Sequence, residues 1–308
     1  LREAPPASPA LTVPPGGPFA TLGGDEIAFG NGHGGRDFSG AGTLRLRFVS
    51  QADGTGHQGR VSVTAKAGEQ LLVLESYEGS GSAYVANASL TFVVEPGAHL
   101  TRIVLLEDAA DAISLSAADV SLGAGAAFNQ TVLASGARLQ RHETRVAHPG
   151  QGATVRLDGV YVLNGERHAD LTSVVEHAGV GGETSELVKG VAKDRARGVF
   201  QGRIVVAHGA DQTDARMGHH ALILSERAEI DAKPELEIYA DDVACAHGNT
   251  IGQLDQNALF YAKSRGIPEP EARAMLTAAF LGEVLDRIER DDVRAIAQAW
   301  LDARLRGL

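Results

Sequence analysis

The stretch LTFVVEPGAHLTRIVLL, at residues 90–106, joins two short runs of aliphatic and β-branched residues through a glycine-containing turn. Runs of the same kind, divided by further glycine turns, continue from about residue 44 to residue 251, with no amphipathic helical pattern between them. Short β-rich runs bounded by turn residues are typical of strands. The sequence therefore predicts a mainly β core over residues 44–251.

A four-residue phrase (glycine, alanine, any residue, apolar residue) recurs in this core at residues 97–100, 125–128, 136–139 and 152–155. Glycine supplies the dihedral angles of a turn, and the small alanine fits a crowded corner. Two architectures fit these observations: a β-sandwich or barrel, and a stack of parallel coils called a β-helix. The low aromatic content of 5% favours the β-helix, because its narrow interior accepts valine, isoleucine, leucine and alanine more readily than rings.

The two ends of the chain differ from this core. Six prolines in the first 24 residues fix φ repeatedly and remove backbone donors, so we interpret residues 1–43 as a proline- and glycine-rich N-terminal arm and lead-in segment. Near the other end, Pro268 followed by acidic residues is typical of a helix start. Apolar residues then follow helical spacing, at Leu276, Ala279, Phe280, Val284 and Ile288. Residues 252–308 are therefore predicted to form a C-terminal helical domain.

The composition limits the class of protein. Lys and Arg number 28 against 39 Asp and Glu, and the resulting net charge of -11 disfavours binding to nucleic acid or anionic lipid. No apolar run reaches the roughly 18 residues that span a bilayer, and the N-terminus lacks a signal-peptide pattern. The single cysteine, Cys245, excludes an intrachain disulfide and any CxxC site. We therefore expect a soluble, cytoplasmic protein that binds neither nucleic acid nor membrane.

Cys245 and His247 are the candidate metal ligands. They lie two residues apart beyond a strand-like run, and residues two apart in a strand project from the same face. A thiolate beside an imidazole suits a soft metal or an iron–sulfur cluster. Read alone, a lone cysteine is more often a small buried apolar residue. Two ligands are also too few for a closed site, so a second chain would have to complete it.

The stretch KPELEIYADDVACAHG, at residues 233–248, resembles the SufB/SufD family of iron–sulfur cluster assembly proteins. Within that family it is similar to the SufD type, because SufB proteins carry a cysteine in the region of residues 218–220 and this chain has none there. Further phrases support the resemblance in the same order: EH at 176–177, KGV at 189–191, RGVFQGRI at 197–204, LILS at 222–225, LFY at 259–261 and SRGI at 264–267.

The resemblance implies a fold and a role. The fold is a right-handed parallel β-helix flanked by helical ends, and the role is that of a non-catalytic subunit beside SufB and the SufC ATPase. Cys245 and His247 would lie at the SufB-facing edge and hold iron or a nascent cluster transiently, with His247 the better candidate and no cofactor stably bound. The C-terminal helices, with Leu276 and Phe280 as first candidates, would dock the SufC ATPase.

Two other functions stay open at this point. A carbohydrate-active β-helix enzyme would need clustered carboxylates or a calcium site together with aromatic residues that stack on sugars, and the low aromatic content disfavours it. An interaction protein without a metal role would need neither Cys245 nor His247. In isolation the chain would also be able to form a homodimer through the surface meant for SufB, because an exposed strand edge seeks a partner.

Overall fold

The computed structural model describes Pro6 and residues 11–308, and within them a long series of strands precedes a few helices. The elements in chain order are a 3-10 turn (Ala20–Leu22), β1 (Asp25–Gly30), β2 (His33–Ser39), β3 (Gly42–Ser50), β4 (Gly56–Ala65), β5 (Gln70–Gly79), β6 (Val85–Val94), β7 (His99–Glu107), β8 (Ile113–Leu122), β9 (Ala127–Ala134), β10 (Leu139–His148), β11 (Thr154–Leu163), β12 (His168–His177), β13 (Glu183–Ala192), β14 (Arg197–Val206), β15 (Thr213–Ile223), β16 (Glu229–Ile238), β17 (Val243–Gly252), α1 (Gln256–Ser264), α2 (Glu269–Leu285) and α3 (Asp291–Leu305). The predicted β core followed by a helical unit is confirmed.

The strands form a stack of parallel coils. In the described part of the chain, the odd-numbered strands make one nine-stranded sheet, ordered β1 to β17, and the even-numbered strands make an eight-stranded sheet, ordered β16 to β2. Strands β1 to β15 each pair in parallel with the strand two places further along the chain, as β5 does with β7. One strand of each sheet therefore completes a coil, and the predicted parallel β-helix is confirmed in place of a sandwich or barrel.

The two sheets differ on their outer faces. In β4 of the even sheet, burial alternates, with Val61 and Val63 in the interior and Arg60 and Ser62 exposed, because the outer face meets solvent. In β5 of the odd sheet, the run over residues 71–77 is buried throughout. Its outward side chains lie under the helices and the N-terminal arm, in an outer apolar cluster separate from the interior of the coils.

Glycine corners hold the coils in register. The glycines of the four repeated phrases all have φ between +64° and +73°, and the alanine after each is at most 1% exposed. The Gly97 amide donates to the Ala124 carbonyl at 2.9 Å, and the Gly125 amide donates to the Gln151 carbonyl of the next corner at 3.1 Å. These positions favour glycine because a side chain is strained in that backbone conformation.

The described part of the N-terminal arm packs against the odd sheet. The Arg47 guanidinium donates to the Pro14 carbonyl at 2.8 Å, and Arg45 donates to the Gly16 carbonyl at 3.2 Å. Phe19 is buried in the outer cluster. Strands β1 and β2 lie within residues 25–43, which the sequence assigned to the arm and lead-in segment, and residues 1–5 and 7–10 lie outside the described residues.

Helices α2 and α3 cover the outer face of the odd sheet. Leu281 and Leu301 are fully buried in the outer cluster, and the Trp300 indole nitrogen donates to the Glu107 carboxylate at the end of β7. Of the helices in the described residues, none combines the length and the apolar character that crossing a bilayer requires. Helices α2 and α3 attach to the coils through the apolar residues that they contribute to the outer cluster.

The last coil leaves two strand edges without a partner in the described chain. Strand β16 pairs only with β14, and β17 pairs only with β15. Each presents a row of backbone donors and acceptors that another strand could pair with. The interior of the coils, here called the lumen, opens between these two strands, and we call this opening the lumen mouth.

Candidate functional site

Strand β17 carries three polar side chains on the lumen side of the mouth. Cys245 lies opposite Ala215 of β15, His247 opposite Met217, and Asn249 opposite His219. The β15 partners at these positions are buried in the lumen, and the side-chain direction alternates along a strand. Cys245, His247 and Asn249 are therefore three successive residues on one face of an edge strand.

Neither candidate ligand is enclosed by the coils. Cys245 is half-buried and packs against the end of the lumen core, whereas His247 is exposed. Burial raises the pKa of the Cys245 thiol above its usual range, and the nearby Asp214 carboxylate acts in the same direction. The thiol is therefore protonated at neutral pH, and a metal ion would have to displace its proton on binding. A partner that covers the mouth could reach both side chains.

Asn249 is held from behind by a buried hydrogen-bonded chain. Its Oδ1 atom lies 2.7 Å from His219 Nδ1, and His219 Nε2 lies 3.0 Å from the Tyr161 hydroxyl two coils further in. The His219 ring stacks on Phe200 with 4.8 Å between centroids. Burial lowers the pKa of His219 to about 4, so the ring is neutral at physiological pH. The neighbouring His220 points to the outer face, where it bonds to Thr250, as strand alternation predicts.

Cys245 and His247 would supply only part of a coordination sphere. Among the described residues, no cluster of three or more histidine, cysteine, aspartate or glutamate side chains is arranged to hold a metal ion. Cys245 and His247 alone offer one sulfur and one nitrogen donor. An iron ion or cluster as cargo would need its other ligands from a second chain or from sulfide.

The structure places Leu276 and Phe280 against the odd sheet. Both are half-buried beside the outer cluster, and the Phe280 ring centroid lies 4.5 Å from Lys189 Nζ, which also bonds to Glu283. Other apolar side chains of the helices are far more exposed: Phe260 at 74%, Tyr261 at 61% and Met275 at 52%. The sequence stripe marks the face that attaches α2 to the coils and misses these exposed residues.

Residues 48–280 match the family model described as SUF system FeS cluster assembly, SufBD core domain. That match covers most of the coils and part of α2. The chain belongs to the SufBD family. The family resemblance read from the sequence is therefore confirmed, and the candidate site lies within the matched region.

Individual relatives of this SufBD chain agree with the family match. It is 33% identical over 242 residues to the iron–sulfur cluster assembly protein SufD of Escherichia coli K12, covering 78% of this chain and 57% of that protein. It is 29% identical over 256 residues to a SufBD family iron–sulfur cluster assembly protein of Synechocystis, covering 80% and 56%. It is 35% identical over 145 residues to SufD of Bacillus subtilis, covering 47% and 33%. The chain thus spans little more than half the length of the first two relatives and a third of the last.

Proposed function

We propose that this chain is a SufD-like, non-catalytic subunit of a SUF-type iron–sulfur cluster assembly scaffold. The observation that supports this proposal most is the position of Cys245 and His247, side by side at an open lumen mouth inside the region that matches the SufBD core. A free cysteine suits a reducing compartment, which is why we place the complex in the cytoplasm.

The chemistry is that of a half-site. Once deprotonated, Cys245 would give a thiolate and His247 an imidazole nitrogen, and a SufB-like partner would add thiolate or carboxylate ligands across the interface. A cluster held between two chains loses part of its ligands when the interface moves. The half-site would therefore hold its cargo transiently, and no cofactor would stay bound to the isolated chain.

The free edges of β16 and β17 provide the contact to the partner. A strand edge pairs with another strand through backbone hydrogen bonds, so a SufB-like coil can continue both sheets beyond the last coil. Such pairing would bring the partner's side chains directly over Cys245 and His247. In isolation a second copy of the chain would be able to take that place as a homodimer.

Removal of both ligands should abolish most cluster assembly. For Cys245→Ser with His247→Ala in a complex with SufB-like and SufC-like proteins, we expect the yield of iron–sulfur cluster to fall at least about tenfold, because loss even of groups that only support metal ligands typically costs that much. Cluster yield can be measured from the visible absorption and the acid-labile sulfide after reconstitution.

His220→Ala is the matched control for this experiment. It removes an imidazole from the adjacent strand, but from the outer face. Its cluster yield should equal that of the wild type. Unchanged yield in the Cys245 and His247 double variant, with the complex intact, would show that the chain acts only as an interaction protein.

We also propose that the C-terminal helices dock a SufC-like ATPase, the role that the resemblance gives to these helices, with Leu276 and Phe280 as the first candidates from the sequence. Met275 lies next to Leu276 on α2 and is half exposed, and Phe260 on α1 is more exposed still, so both are accessible to a partner. Charged residues at the core of an interface are strongly disfavoured. Phe260→Glu with Met275→Glu should therefore weaken binding of the ATPase at least about tenfold without unfolding the chain.

Phe280→Ala tests whether a residue of the face that attaches α2 to the coils also takes part in docking. Because Phe280 packs between Lys189 and the outer cluster, its truncation should lower the stability of the chain as well as ATPase binding. Binding can be measured by titration calorimetry and stability by thermal unfolding. Full ATPase binding by the Phe260 and Met275 double variant, together with full binding by a folded Phe280→Ala chain, would place the docking surface elsewhere.

A further inference from the structure

We propose that Asn249 is a third residue of the half-site, whose side-chain amide donates a hydrogen bond to a sulfur anion held at Cys245 and His247. The sulfur anion is a sulfide or a thiolate bound to iron. This inference rests on the proposed function and adds to it a residue that would contact the sulfur of the cargo and not the iron. Three observations lead to it: the position of Asn249, the orientation of its amide and the chemistry of its N–H groups.

Asn249 lies where such a donor is needed. It follows Cys245 and His247 on the lumen side of β17, and residues two apart in a strand are separated by about 6.6 Å. That spacing lets the carboxamide reach the rim of a cluster ligated by His247. Asn249 is exposed at the mouth, so no other part of the described chain covers it.

The orientation of the amide is fixed by the buried residues behind it. The only hydrogen-bond partner of the Tyr161 hydroxyl in the described residues is His219 Nε2, so the hydroxyl satisfies its proton by donating to that nitrogen. The neutral imidazole then carries its own proton on Nδ1 and donates it to Asn249 Oδ1. The oxygen of the amide therefore faces the lumen, and its NH2 group faces the mouth.

An NH2 group at this place stabilises negative charge. Hydrogen bonds to the sulfur atoms of an iron–sulfur cluster help to set its reduction potential, and bonds from N–H to an anion are stronger than those between neutral groups. A donor favours the more negative, reduced form and so raises the potential. The hydrogen bond from Asn249 to this sulfur would also help to retain the cluster on this chain.

The test compares Asn249→Ala with Thr250→Ala in the full complex with SufB-like and SufC-like proteins. Thr250 is the matched control, because it is the next residue of β17 and also bonds to a histidine, but on the outer face. For Asn249→Ala we expect transfer of the cluster to a chelator to become about tenfold faster, as loss of a hydrogen bond to a charged group implies, and the midpoint potential to become more negative. Thr250→Ala should leave both unchanged.

Tyr161→Phe tests the positioning of the amide without touching the mouth. It keeps the ring and removes the hydroxyl that sets the His219 tautomer. In the isolated wild-type chain, nitrogen NMR should show His219 protonated on Nδ1, and Tyr161→Phe should produce a mixture of tautomers. It should also shift the cluster potential in the same direction as Asn249→Ala but by less.

The outcomes distinguish this inference from the proposed function. If the wild-type complex assembles no cluster, the proposed function falls and Asn249 loses its role with it. If the wild-type complex assembles a cluster and Asn249→Ala changes neither the transfer rate nor the potential, only the role of Asn249 is overturned. A wild-type His219 protonated on Nε2 would also overturn it, because the amide would then face the other way.

Discussion

Replacement of Arg102 by methionine is expected to lower the free energy of unfolding by about 3 to 5 kcal/mol, the typical result of breaking a buried ion pair from one side. The Arg102 guanidinium is fully buried in the lumen and binds the Glu75 carboxylate at two points, with Nε and Nη2 each 2.8 Å from an oxygen. It also donates to Gln130 on the next coil at 2.6 Å. The methionine variant would leave the Glu75 charge buried with the Tyr77 hydroxyl as its remaining hydrogen-bond donor among the described residues.

Two further variants give this expectation a sharp control. Glu75→Gln together with Arg102→Met should recover much of the lost stability, because it removes the unpaired buried charge and keeps an acceptor for the Tyr77 hydroxyl. Arg145→Met, at an exposed arginine of β10, should change stability by less than about 0.5 kcal/mol. Urea unfolding followed by far-ultraviolet circular dichroism measures all three. If the single Arg102 variant were as stable as the double variant, the pair would not be the source of the effect.

Much of the fold follows from local pattern. Alternation in β4 predicts one face inside and one in solvent, whereas the unbroken apolar run of β5 indicates a strand covered on both faces. The glycine–alanine phrases mark corners because only a few residues tolerate that backbone conformation. The two-residue spacing of Cys245 and His247 places both on one face of a strand. Each of these features depends on residues close together in the chain.

The rest depends on contacts between distant coils. Asn249, His219 and Tyr161 lie on three different strands, and only the coil register brings them into one hydrogen-bonded chain. No spacing in the sequence reveals that register. The surface that Phe280 covers cannot be predicted from the sequence either, because helical periodicity shows that an apolar face exists but not which surface it covers. In the sequence Arg102 is a charged residue within an apolar strand, and nothing near it indicates that the structure buries it completely.

Replacement of Glu186 by glutamine should remove a strong pH dependence from the stability of the chain. Glu186 lies in the lumen on β13, and its Oε2 atom is buried without a hydrogen-bond partner in the described residues. Burial raises its pKa from 4.5 to about 8. The nearby Asp158 charge also raises this pKa, whereas the Ser173 side chain lowers it. Between these two values the folded chain binds a proton that the unfolded chain releases. The contribution of Glu186 to the free energy of unfolding is therefore fully present below about pH 4.5 and is lost as the pH rises through 8.

The size of the effect follows from the pKa difference. Each pKa unit corresponds to about 1.4 kcal/mol, so the stability of the wild type relative to Glu186→Gln should fall by on the order of 4 kcal/mol between pH 5 and pH 9. Any cost of burying the glutamine amide is independent of pH and shifts the comparison without changing its slope. Glu183→Gln, at an exposed position of the same strand, should track the wild type. Urea unfolding at several pH values gives the slope directly, and parallel curves for wild type and Glu186→Gln would show that the carboxyl group is ionised in the folded chain throughout this range.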